Sequence, residues 1–122
     1  MSQRLDMSII LHIVEKQAWR KAKEQNVYAP QSLQTEGFIH CSTSETAIEV
    51  ANRLFRGQTN LLLLCINLDK VAAKVLFEKV TDPEGWIFPH IYGALNVDAV
   101  VREIDFEPDA NGVFILPDSL IL

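Results

Sequence analysis

Ile9–Val14 reads Ile-Ile-Leu-His-Ile-Val and Leu61–Asn67 reads Leu-Leu-Leu-Leu-Cys-Ile-Asn. Neither run alternates apolar with polar residues, and both are rich in branched side chains. Such continuous short runs are the pattern of strands buried on both faces. The two are therefore predicted to lie centrally, beside or near each other, in one sheet, with His12 held in the middle of the first.

The elements around them follow from local patterning. Ala18, Trp19 and Ala22 form one apolar stripe, predicting a short helix over 15–25. Residues 26–37 hold Pro30, Ser32 and Thr35 and read as a surface connection, followed by a short strand over Gly37–Cys41. Ser42 with Glu45 fits a capping box for a second helix, whose core face is Ala47, Val50, Ala51, Leu54 and Phe55 and whose stop is Gly57. Val75–Val80 predicts a strand containing Glu78, with a turn at Pro83–Gly85. Phe88–Gly93 carries Pro89 and a terminal glycine, which predicts irregular backbone and not a central strand. Ala99–Phe106 alternates as a strand, and Asp109-Ala110-Asn111-Gly112 signals a hairpin turn into a last strand over Val113–Leu116.

The result is an α+β chain: about six strands in a mixed or antiparallel sheet, with two helices in the first half. No glycine-rich loop follows the first strand, which excludes a dinucleotide fingerprint or a phosphate-binding P-loop of the usual kind. At 122 residues and 13.8 kDa, residues 1–122 form a single domain, with 48% hydrophobic residues to fill its core. Eleven basic against sixteen acidic residues give a net charge of −5. That balance argues against sequence-independent nucleic-acid binding and against a polybasic membrane patch. The apolar runs are too short to span a membrane. The N-terminal segment, with Arg4, Asp6 and His12, reads as a strand and not a signal peptide. Cys41 and Cys65 sit in apolar runs without a CxxC pairing, as expected of reduced structural thiols in the cytoplasm. The apolar end Leu120-Ile121-Leu122 suits docking on the chain's own core or on a second subunit.

The chain has three histidines, and each falls near a strand end or within a buried run. Any one of them is explained by a core imidazole bonded to protein partners. Together, His12, His40 and His90 are better explained by a shared cleft. Gly37-Phe38-Ile39-His40-Cys41-Ser42 places a ring and a hydroxyl at a strand-to-helix junction, where free N–H groups would seat a phosphate or ribose. Phe88 and Tyr92 flank His90, so that segment is expected to wall the largest pocket close to His40.

Ile10-Leu11-His12-Ile13, Trp19, Ala22, Tyr28, Ser32-Leu33, Glu36 through Ser42, Glu78 and Phe88 through Leu95 resemble the bacterial domain-of-unknown-function family 952. The resemblance runs from about Ile9 to Val101. That family carries no established activity. Its fold is similar to the ADP-ribosyltransferase superfamily, including RNA 2′-phosphotransferases that consume NAD. The resemblance implies an ADP-ribosyltransferase-like fold, with His12 and His40 framing the nicotinamide end of NAD, followed by Ser42 and a helix. It implies Glu78 as the carboxylate from a later strand. The paired arginines of the phosphotransferases have only Arg53 and Arg102 as stand-ins.

The resulting expectation is an ADP-ribosyl-type transferase. Its substrate would be NAD or an ADP-ribose-type nucleotide, and nothing requires a resident cofactor. Glu78 and His40 would act catalytically, while His12, His40, Ser42, His90 and Tyr92 bind substrate, with Glu36 a weaker substitute for Glu78. Two alternatives stand beside it. One is a non-catalytic module binding a nucleotide or other small molecule. The other is a metal site of His12, His40 and His90, with Cys41 expected on the face opposite His40.

Overall fold

A computed structural model describes residues 8–81 and 83–120. The expectations for Arg4, Asp6 and the end of the apolar tail at Ile121 and Leu122 lie outside the described residues. β1 (Ile9–Glu15) runs into α1 (Lys16–Gln25), followed by β2 (Val27–Tyr28), α2 (Ser32–Thr35), β3 (Ile39–His40) and α3 (Ala47–Leu54). The second half is β4 (Leu61–Asn67), β5 (Lys74–Thr81), β6 (Glu84–Tyr92), β7 (Leu95–Asn96) and β8 (Val100–Phe106). The chain is α+β, with three antiparallel sheets ordered β1-β4-β8, β3-β6-β5 and β2-β7.

β1 and β4 do lie side by side, with His12 opposite Leu64. Alternate residues feed two separate cores. Ile10 and Val14 with Leu62, Leu64 and Ile66 pack beneath Trp19 and Ala22 of α1. Leu11 and Ile13 with Leu61, Leu63 and Cys65 pack against Ala47 and Ala51 of α3, Phe106 and Phe114. Burial on both faces is why these runs lack alternation. β4 is central, whereas β1 is the outer strand of its three-stranded sheet. Its outer edge is covered at Leu11, which exchanges two backbone hydrogen bonds with Ser42 at 2.8 and 2.7 Å. That bridge joins the β1-β4-β8 sheet to the end of β3.

Several elements differ from expectation. The described residues hold eight strands and three α-helices, not about six and two. The additions are β2, α2 and β7, short elements that patterning cannot resolve, and the nine-residue β6, while the expected last strand over Val113–Leu116 is lost. Ser42 does not cap α3, which begins at Ala47 after a turn in which the Thr43 carbonyl accepts from Ala47 N–H. Ser42 is instead spent on its bridge to Leu11.

Phe88–Gly93 is not irregular. All but Gly93 belongs to β6, the middle strand of its sheet. Pro89 is tolerated because its side of the strand faces the end of β3. There the Pro89 carbonyl accepts from Cys41 N–H at 3.1 Å, and β3 stops at His40, so the missing N–H breaks no ladder.

Val113–Leu116 is not a strand either. Its bonding need is met by a side chain: Asn52 Oδ1 accepts from Phe114 N–H at 2.7 Å and Asn52 Nδ2 donates to Phe114 carbonyl at 3.0 Å. The turn before it forms as expected, with Asp109 accepting from Asn111 and Val113 N–H groups.

Candidate functional site

His12 shows what burial does to an imidazole. Its Nδ1 lies 2.6 Å from the His40 carbonyl, which can only accept, so Nδ1 carries the proton. Nε2 then accepts from the Tyr28 hydroxyl at 2.7 Å. Burial lowers the His12 pKa to about 4, outweighing the favourable bond to the His40 carbonyl. His12 is therefore neutral near pH 7, with both nitrogens committed to protein.

His40 and His90 are arranged differently. They face each other across the β3–β6 pair, with ring centroids 5.6 Å apart. His40 Nε2 donates to Glu36 at 2.9 Å, and His90 Nδ1 donates to Glu78 at 2.7 Å. Each ring thus has one nitrogen fixed by a carboxylate. The other, Nδ1 of His40 and Nε2 of His90, has no hydrogen-bond partner among the described residues. Phe38 lies flat against His90, with centroids 4.0 Å apart and planes at 19°, and meets His40 edge-on at 4.8 Å. Tyr92 closes the cluster by donating to the same Glu78 oxygen at 2.5 Å. The Tyr92 hydroxyl and then the His90 ring hold the Glu78 carboxyl below the usual range, so Glu78 is anionic and Tyr92 is raised in turn.

A cavity of about 540 Å³ opens beside this cluster. His12, His40, Ser42, Ser32, Arg53 and His90 supply its polar lining, and Phe38, Phe88, Phe55, Leu54, Val50 and Leu11 much of its apolar wall. No Asp or Glu side chain is among the described residues that line it. Glu78 and Tyr92 are not among the described lining residues, and Glu78 is tied to the lining through its bond to His90. Of the two arginine stand-ins, Arg53 lines the cavity, while Arg102 bonds the Ser119 carbonyl elsewhere. The phosphate seat expected at Ser42 loses its helix N-terminus, because α3 begins further along the chain.

The zinc arrangement is not built. Among the described residues no three His, Cys, Asp or Glu side chains are grouped to hold a metal, and His12 has no free nitrogen. Cys41 is buried, with its thiol pKa pushed up by that burial, while His40 beside it is exposed.

Phe38 and Glu36 are the residues whose roles the sequence reading underrated. Phe88, His90 and Tyr92 recur at period two along β6, whereas Glu36 ends α2 and Phe38 lies in the bend before β3, so no periodic signal foretold their contacts with His40 and His90.

The fold and site together define a small α+β protein whose antiparallel sheets meet beside a histidine-lined cleft. The chain belongs to the family described as Protein of unknown function (DUF952), which matches residues 13–103. It is similar to the crystal structure of protein CC0527 from Caulobacter crescentus, with 37% identity and a TM-score of 0.83, over 93% of this chain and 99% of that one. A double mutant of CC0527 gives the same values. Its solution structure matches with a TM-score of 0.80 and 37% identity, over 94% of this chain and 98% of that one. None of the curated proteins matches the chain. Among the described residues no helix is long and apolar enough to cross a membrane.

Proposed function

We propose that the cleft binds the heteroaromatic end of NAD or of an ADP-ribose-type nucleotide. The observation that carries this reading is the Phe38–His90 stack with His40 across from it, beside a largely apolar cavity of about 540 Å³. Such a volume and lining suit a planar ring held by a few polar groups. The phosphates would lie toward Arg53, the one Lys or Arg side chain among the described lining residues. His12 supports the site from within by fixing the His40 backbone, and the split antiparallel sheets are compatible with an ADP-ribosyltransferase-like fold. Two unpaired buried thiols, Cys41 and Cys65, suit the reducing cytoplasm, where we place the protein.

ADP-ribosyl transfer is the second reading, and the His40–Glu36 pair favours it. His40 would take the proton of the acceptor as the bond to nicotinamide breaks. Glu78 then acts through His90 as a positioning residue. Because none of the described lining residues is a carboxylate placed to stabilise a ribosyl cation, binding without transfer stands first.

The test is a titration of the protein with NAD, ADP-ribose, nicotinamide and 2′-phosphorylated RNA, read by thermal shift and by the imidazole resonances. NAD or ADP-ribose should raise the melting temperature and move His40 and His90 signals. Silence to all of them at millimolar concentration removes the nucleotide reading.

A further inference from the structure

The two carboxylate-held imidazoles outnumber what a binding site needs. A single hydrogen-bonding ring suffices to orient a heterocycle. Here two rings face each other across adjacent strands, and each is fixed at one nitrogen by its own carboxylate: His40 by Glu36 at 2.9 Å and His90 by Glu78 at 2.7 Å. Tyr92 in turn fixes Glu78. The carboxylates set the tautomers, so a neutral His40 presents a lone pair at Nδ1 and a neutral His90 one at Nε2. When the pair carries one proton, one ring is a base and its neighbour an acid. Because the rings are only 5.6 Å apart, a single reacting group can meet both.

We propose that His40 and His90 form a general acid–base pair that hydrolyses an uncharged acyl ester on a nucleotide held in the cleft. This rests on the nucleotide reading above and specifies the reacting group. Three features select the chemistry. Departure of nicotinamide from NAD leaves a neutral ring and needs no acid, so a second imidazole would be idle there. An oxygen leaving group does need a proton. Displacement at a ribose carbon builds positive charge, which an imidazolium at either lining histidine, His40 or His90, would oppose. Attack on an acyl carbon builds negative charge on oxygen, which an imidazolium stabilises. Finally, the wall of Phe38, Phe88, Phe55, Leu54, Val50 and Leu11 favours an uncharged reacting group over a phosphodiester anion, whose desolvation would be costly.

The step balances with water alone. The neutral imidazole takes a proton from water as the water oxygen bonds to the acyl carbon. The carbon–oxygen bond to the nucleotide breaks, and the leaving oxygen takes the proton from the imidazolium. Products are the carboxylic acid and the nucleotide hydroxyl, and the pair still holds one proton, now exchanged between rings. His40 and His90 are the catalytic residues; Glu36, Glu78 and Tyr92 position them.

The experiment compares two esters, an O-acetyl ester of ADP-ribose and 4-nitrophenyl acetate. The nitrophenolate leaves without a proton, whereas the ribose oxygen does not. With wild-type protein, kcat/KM on the ADP-ribose ester should follow a bell-shaped pH profile. His40→Gln and His90→Gln should each cost about 10²-fold or more on that ester. On 4-nitrophenyl acetate, loss of whichever ring serves as acid should cost at least about tenfold less than on the ADP-ribose ester. Because His90 is buried, Glu78→Gln is the second variant. It should lower kcat with little change in KM and displace one limb of the pH profile. ADP-ribose affinity, measured by calorimetry, separates the two claims. Binding without turnover of either ester overturns the acid–base pair and leaves the nucleotide reading standing. Equal losses on both esters for both histidine variants also overturn it. Turnover of 4-nitrophenyl acetate with no affinity for ADP-ribose overturns the nucleotide as carrier.

Discussion

The ring of His12 and the backbone carbonyl of His40 are joined at 2.6 Å, so an imidazole on β1 holds the strand end that carries another imidazole. The first ring is a structural strut with its proton assigned by that carbonyl. The second keeps a half-exposed side chain, 54% accessible, beside the cavity. The two histidines, on strands of different sheets, thereby differ: one ring is committed to protein partners at both nitrogens and the other stands beside the cavity.

That difference makes folding stability depend on pH through His12. Its pKa is near 6.5 when unfolded and about 4 when folded. Between those values the unfolded chain binds more protons, so stability is fully present above about pH 6.5 and falls as pH drops toward 4. The loss amounts to about 3 kcal/mol. Urea unfolding of wild type and His12→Gln across this window should show a steep dependence in the first and a flatter one in the second.

Alanine substitutions should separate the two rings. His12→Ala leaves the Tyr28 hydroxyl and the His40 carbonyl without partners and should cost about 1–3 kcal/mol, with more from the cavity it leaves. His40→Ala removes an exposed ring and should leave the melting temperature nearly unchanged while abolishing any nucleotide-induced shift. A His40→Ala protein that melts several degrees lower yet still responds to ligand would assign His40 to packing.

Tyr92 sets the charge of Glu78. Removing its hydroxyl in Tyr92→Phe takes away the largest influence holding that carboxyl below its ordinary range. The Glu78 carboxyl resonance should then titrate at higher pH than in wild type, though still below an unpaired glutamate because the His90 bond remains.

Asn52 substitutes for a strand partner along 113–116. Asn52→Ala strips Phe114 of bonds to both its N–H and its carbonyl and should cost about 1–3 kcal/mol. Amide exchange should accelerate at Phe114, and the stacking of Phe114 on Phe106, at 4.7 Å, should loosen with it. Unchanged protection at Phe114 would show that packing alone holds the segment.

The grouping of the three histidines was legible in the chain, since all three line one cavity. His12, His40 and His90 gather within one region, and His40 and His90 meet as a cross-strand pair. Their different bonding was not legible, because it depends on which nitrogen finds which partner. Tyr28 reaches His12 from sixteen residues away and Glu78 reaches His90 from twelve, distances over which no spacing rule operates. Glu78 entered as a candidate through the family resemblance, and its bonds to His90 and Tyr92 are contacts that the sequence did not foretell.

The sequence alone determined the elements whose signals are local and repeated. Continuous branched runs specified β1 and β4 as strands buried on both faces, and spaced apolar residues specified α1 and α3. The Asp109–Gly112 turn followed from backbone preferences that need no distant neighbour. Only the tertiary structure decided that Pro89 sits in a central strand, that Ser42 bridges two sheets instead of capping a helix, and that Asn52 completes the backbone of Phe114. Each depends on a hydrogen-bonding group meeting a partner from a remote part of the chain. Such a partner is supplied by register and packing, where the cost of an unpaired polar group overrides the local preference of the residue that carries it.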